Sequence, residues 1–180
     1  MPGWLTEKKK RFFCLTVGAR LPRPVGGGQG NPATTKDAKD WMMNLRPAKM
    51  TDMPSIVRMI GEFDLDYENL NHNQFWVIEE DEQIAAFGRL KPFPDAVELG
   101  SVGVRKEYRN KGYGKKMVEA LMERAPDEVW ITTDLRDYFR KFGFVESTEM
   151  PASIKNKLER FCHFTCRTNI TAMVYYKGKK

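Results

Sequence analysis

Glu98–Lys116 reads Glu-Leu-Gly-Ser-Val-Gly-Val-Arg-Lys-Glu-Tyr-Arg-Asn-Lys-Gly-Tyr-Gly-Lys-Lys. An apolar, β-rich run ends at Val104, a polar turn follows, and Gly112-Tyr113-Gly114 opens an amphipathic segment with Met117, Val118, Leu121 and Met122 on one face. Glycines there let the main chain curl and approach a ligand without Cβ clashes. Successive N–H groups then converge at a helix N-terminus, where the dipole favours an anion. Lys111, Lys115 and Lys116 add positive charge. The combination suits a pyrophosphate. Neither G-x-x-x-x-G-K-[ST] nor G-x-G-x-x-G occurs, so P-loop and dinucleotide-fingerprint readings have no support. Glu98 is the second chemical candidate: a carboxylate in a run of Val, Leu, Gly and Ser is partly desolvated, which raises its proton affinity toward that of a general base.

The elements that must position these groups follow from periodicity and breakers. Asn44–Lys49 reads as a short strand, and Thr51 or Asp52 caps a helix with Pro54 in its first turn and Ile56, Ile60 and Phe63 on its apolar face. Gln74–Glu79 and Gln83–Leu90 read as strands joined by a turn at Asp81-Glu82. Val97–Val104 is the next strand, Gly114–Arg124 a helix and Glu128–Thr132 a strand. Thr133 or Asp134 then caps a helix that stops at Gly143. Phe144–Ser147 and Ala172–Tyr176 complete a mixed sheet with helices on its faces, an α/β fold.

Residues 1–43 read as a flexible tail, with four prolines, Gly26-Gly27-Gly28-Gln29-Gly30 and no sustained apolar period. The net charge of +6 lies mostly there, since the tail holds eight basic and three acidic residues. The domain over 44–180 is nearly neutral, which argues against a nucleic-acid face on it. The basic run Lys8–Arg11 with the short apolar stretch after it only faintly resembles a signal peptide. No stretch approaches a membrane span, and three cysteines are too few for a disulfide scaffold. A cytoplasmic location is expected, and a homodimer is left open. Cys162-His163-x-x-Cys166 lacks a second ligand pair, so no metal site is expected.

Arg109-Asn110-Lys111-Gly112-Tyr113-Gly114 matches the Q/R-x-x-G-x-G/A signature, and the chain from Asn44 to Lys177 resembles the GNAT superfamily of acetyl-CoA-dependent N-acetyltransferases. Leu45-Arg46-Pro47-Ala48-x-x-x-Asp52, the strand Leu99–Val104 and the Gly143-Phe144 pair carry the rest of the likeness. The resemblance implies a mixed sheet splayed open in the middle. It implies acetyl-CoA as cosubstrate, the pantetheine arm along Val102, Gly103 and Val104, and the diphosphate on Arg109, Asn110, Lys111, Gly112, Tyr113, Gly114 and Lys115. A main-chain N–H near Val102 would face the oxyanion. Glu98 precedes the signature by the spacing of the catalytic glutamate in members that have one. The acid tyrosine found in many relatives is replaced by Phe139, with Tyr138 adjacent to it.

Met150-Pro151-x-x-Ile154, Cys162, Cys166 and Ala172-Met173-Val174-Tyr175 are similar to stand-alone N-acetylglutamate synthase-type enzymes. That likeness implies a small-molecule partner, an amino acid acetylated on its α-amine by direct attack in a ternary complex, with Arg89, Lys91 or Arg136 anchoring its carboxylate. A protein or peptide N-acetyltransferase and a non-catalytic acyl-CoA-binding module are the alternatives.

Overall fold

A computed structural model describes residues 45–164 and 169–178. The tail over 1–43, Cys14 and Cys166 lie outside the described residues, as does the side chain of Cys162. Seven strands form one sheet in the order β1-β2-β3-β4-β5-β7-β6. They are β1 (Leu45–Pro47), β2 (Phe75–Glu80), β3 (Gln83–Pro92), β4 (Val97–Val104), β5 (Glu128–Thr133), β6 (Val145–Glu146) and β7 (Thr171–Tyr176). The helices are α1 (Met53–Phe63), α2 (Tyr113–Arg124), α3 (Arg136–Arg140) and α4 (Ala152–Phe164). All neighbouring strands are antiparallel except β4 and β5. Those two run parallel and are in register at one point, Glu98 opposite Trp130. The sheet is mixed and opens at its centre, as expected.

Strand alternation sorts the side chains onto two faces. On one face α2 packs Met117, Val118 and Leu121 against Ile78, Ala86, Leu99, Val129 and Ile131. Gly88 makes room for that helix: a Cβ there would come within 2.8 Å of Leu121 Cδ1. On the other face α1 packs Ile56, Met59, Ile60 and Phe63 onto Phe75, Val77 and Phe87. Farther along the same face, α4 sets Ile154 against Trp130, Ala172 and Val174. Between α1 and α4 that face carries Arg89 and Lys91, which alternate in phase with Phe87.

Three local devices shape the site. The β2–β3 hairpin turns on Asp81 (φ 51°) and Glu82 (φ 59°), both left-handed as a two-residue type I′ turn requires. In β4 the register moves from Phe87–Gly103 to Arg89–Gly100, so β4 carries one extra residue there. Ser101 (φ 48°) marks this bulge, beside the point where β4 and β5 part. Arg46 ties β1 down, with Nη1 at 2.7 Å from Asp52 Oδ2 and Nη2 at 2.6 Å from Glu79 Oε2.

Several elements differ from the sequence reading. Asp52 precedes α1, but its carboxylate accepts from the Lys49 amide at 2.6 Å and pairs with Arg46 instead of capping the helix. The helix expected to run to Gly143 is shorter, Arg136–Arg140. Ala152–Phe164, to which the sequence reading assigns no element, is a helix: among its described side chains Ile154 and Lys157 are buried, and a lysine where an apolar residue would complete the stripe hid the period.

Candidate functional site

The diphosphate turn is built as a helix start. Asn110 (φ 66°) and Gly112 (φ 83°) are both left-handed and swing the chain into α2. The Lys116 amide is bonded to Gly112 O at 3.0 Å, so Tyr113, Gly114 and Lys115 precede the first such bond of α2 and their N–H groups have no partner within the helix. No side chain caps the turn at Gly112. An anion fits these donors. Arg109 Nε bonds Val104 O at 3.3 Å, and its guanidinium lies 5.4 Å from the centre of the Phe63 ring, which fixes the turn to the end of β4.

Beyond Glu98 and Trp130 the gap between β4 and β5 forms a cavity of about 110 Å³. Its β4 wall includes Glu98, Gly100, Ser101 and Val102, and its β5 wall runs from Ile131 to Leu135. Asp66 and Lys157 close one end, and Phe139 contributes apolar surface. The cavity is smaller than the roughly 300–1,000 Å³ of sites that enclose whole ligands. It suits the reacting ends of two substrates.

Glu98 is 1% exposed. Its Oε1 accepts from Thr132 Oγ1 at 2.7 Å and from Lys157 Nζ at 2.8 Å, and its Oε2 accepts from Lys157 at 2.6 Å. Lys157 also reaches Asp66 Oδ2 at 2.8 Å. Asp66 in turn meets Arg89 Nη2 at 3.1 Å and Lys91 Nζ at 3.0 Å. Burial works against the Asp66 anion, yet these cations hold its carboxyl well below the usual range. Asp66, bound by three cations, serves to hold the cluster together.

The expected anchors sit apart from the cavity. Arg89 is fully buried and donates to the main-chain oxygens of Asp66 and Glu68 at 3.1 and 3.0 Å, so its guanidinium is committed to holding the loop after α1. Lys91, 2% exposed, is committed to Asp66. Arg136 lines a neighbouring depression that shares Asp134 and Leu135 with the cavity, and donates to Asn169 O at 3.3 Å beside Glu146 Oε2 at 3.8 Å. Tyr138 packs edge-on against Phe139 and Phe142, and its hydroxyl lies 3.4 Å from where a Cβ on Gly114 would sit. It faces the start of α2, and burial pushes its phenol up. Phe139 faces the cavity in its place.

Lys157 escaped the sequence reading because nothing local distinguishes it. It joins Asp66 and Glu98, which are 91 and 59 residues distant in the chain. Among the described residues no cluster of His, Cys, Asp and Glu could hold a metal, and no helix is long and apolar enough to cross a membrane.

The acetyltransferase (GNAT) family model matches residues 37–144. Among solved structures, N-acetylglutamate synthase from Neisseria gonorrhoeae, complexed with coenzyme A and N-acetyl-glutamate, is similar at a TM-score of 0.63 and 16% identity. The match covers 75% of this chain and 35% of that one, so the chain spans about a third of that protein's length. Rv2747 from Mycobacterium tuberculosis, in complex with CoA, is similar at a TM-score of 0.59 and 20% identity, over 73% of this chain and 98% of that one. A GNAT acetyltransferase from Staphylococcus aureus gives a TM-score of 0.56 at 17% identity, over 74% and 98%. At such identities these likenesses speak to the fold.

Proposed function

The chain belongs to the acetyltransferase (GNAT) family, acetyl-CoA-dependent N-acetyltransferases, and we propose that it acetylates the primary amine of a small molecule, an amino-acid α-amine being the favoured acceptor. The observation that carries this proposal is the cavity between β4 and β5, lined by the buried Glu98, on the strand that leads into the turn whose helix-start amides have no partner within α2. The amino-acid acceptor draws support from the C-terminal sequence likeness and from the N-acetyl-glutamate named with the Neisseria gonorrhoeae enzyme.

In this reading the amides of Gly112 to Lys115, with Arg109, Asn110 and Lys111, hold the diphosphate. The edge of Val102–Val104 that β5 leaves unpaired receives the pantetheine arm. Acetyl-CoA supplies an activated thioester. The Val102 N–H, beside the bulge, polarises its carbonyl oxygen. The cavity wall carries Asp64, Asp66, Glu98 and Asp134, of which Asp66 and Glu98 are already paired with Lys157, Arg89 and Lys91. An amine must lose a proton to attack. Both Glu98 oxygens already accept bonds, so Glu98 draws that proton through an intervening water. With Phe139 on the cavity wall and Tyr138 turned toward the start of α2, the thiolate leaves without a protein acid. Arg136, in the neighbouring depression, is the residue we assign to the acceptor's carboxylate, and Arg89 contributes only by holding the loop that carries Asp66.

Thiol release from acetyl-CoA, measured against amino acids, polyamines and peptides, tests the proposal. Amino acids are expected to turn over with the highest kcat/KM. CoA binding without thiol release for any amine would favour a non-catalytic binding module, and turnover of peptides alone would move the acceptor class.

A further inference from the structure

The signature turn does not stand alone; the tip of the β2–β3 hairpin is bolted to it. Glu80, the last residue of β2, accepts from Tyr113 Oη at 2.5 Å through Oε2 and lies 3.3 Å from Lys111 Nζ through Oε1. Its main-chain oxygen accepts from Tyr108 Oη at 3.4 Å. Three residues later, Gln83 Oε1 accepts from Arg105 Nη1 at 2.5 Å, and the Arg105 amide donates to Ala85 O at 2.9 Å. Aromatic and cationic groups bind the turn to itself: Lys111 lies 4.9 Å from the Tyr108 ring centre, Lys116 lies 5.4 Å from that of Tyr113, and the two tyrosines meet edge-on. The Tyr113 bond holds Glu80 below the usual carboxylate range, and burial together with Glu80 pushes Tyr113 up to about 12.

A carboxylate this close to an anion site repels the ligand. Its presence calls for an offsetting role, and the contacts supply one. Tyr113 is the first residue of α2, so fixing its side chain fixes the direction in which the first amides of the helix point.

We propose that Glu80 is a positioning residue for cosubstrate binding: through Tyr113 and Lys111 it holds the helix-start amides in the orientation that receives a diphosphate. This rests on the assignment of that turn to coenzyme A. Glu80 touches no reacting atom, so its loss weakens cosubstrate binding and leaves the chemical step alone.

The test uses the full chain. Calorimetry gives the Kd for CoA, and thiol release gives kcat and KM for acetyl-CoA, for wild type, Glu80→Ala, Glu80→Gln, Tyr113→Phe and the Glu80→Ala/Tyr113→Phe pair. Glu80→Ala is expected to raise Kd and KM about tenfold with kcat nearly unchanged. Glu80→Gln keeps an acceptor for Tyr113 and should recover most of that loss. Tyr113→Phe should add nothing to Glu80→Ala, because both remove one contact. An unchanged Kd in Glu80→Ala and Glu80→Gln overturns the proposal. So does a fall in kcat matching that in kcat/KM, no recovery in Glu80→Gln, or additive losses in the pair. Should wild type itself fail to bind CoA, the assignment of the turn fails, and this proposal with it.

Discussion

Lys157→Met tests whether the buried charge cluster holds the cavity together. The lysine is 4% exposed and makes contacts at 2.6 and 2.8 Å to the two Glu98 oxygens and at 2.8 Å to Asp66 Oδ2. Methionine preserves most of the volume and removes the charge. Asp66 keeps Arg89 and Lys91, so the loss falls mainly on Glu98, which is left with the bond from Thr132. Stranding one member of a buried ion pair costs about 3–5 kcal/mol. In a domain of this size that lowers Tm by roughly 10–20 °C. Urea unfolding and thermal melts at pH 7 read both quantities. Adding Glu98→Gln to Lys157→Met should recover a large part of the loss, since it removes the stranded charge. A Lys157→Met protein within about 0.5 kcal/mol of wild type, the ordinary range for surface substitutions, would refute the reasoning.

Other outcomes follow from the same geometry. Glu98→Gln should lower kcat by about 10²- to 10⁴-fold, with the Kd for CoA from calorimetry unchanged. Gly103→Ala should destabilise by about 1–3 kcal/mol in urea unfolding, because its Cβ would lie 2.6 Å from the Phe87 ring and 3.0 Å from Phe63. The folded-state pKa of Asp66 is depressed below the ordinary 3.8, so the stability it contributes is full well above that value and is lost progressively as pH falls below it and through the depressed folded-state pKa. An acid titration followed by circular dichroism should show Asp66→Asn losing less stability below pH 4 than wild type does.

How much could be read in the sequence followed how local each signal was. The turn at Arg109–Gly114 was legible because its cues are contiguous: a strand end, two glycines and an amphipathic run. Val97–Val104 was legible for the same reason. Leu45-Arg46-Pro47-Ala48-x-x-x-Asp52 was legible as a pattern, and its cause, Arg46 bridging Asp52 and Glu79, needed the β1–β2 pairing. The charge cluster was illegible. Asp66, Arg89, Lys91, Glu98 and Lys157 come from three separate elements and a loop, and nothing local in the sequence says that they meet; Asp66 and Lys157 alone read as solvated charges. Arg89 looked free to bind a ligand because sequence carries no sign that the loop after α1 folds back over β3. The bulge at Ser101 was hidden too, since serine gives no warning of a left-handed backbone.

The central claim is that coenzyme A lies in the cleft between β4 and β5 with its diphosphate on the first amides of α2. A crystal structure of the chain with CoA bound tests this most directly. It is expected to show the diphosphate oxygens within hydrogen-bonding distance of the Gly112, Gly114 and Lys115 amides and the thiol directed toward Val102 and Glu98. A diphosphate bound away from α2, with these amides facing other protein groups, would contradict the account.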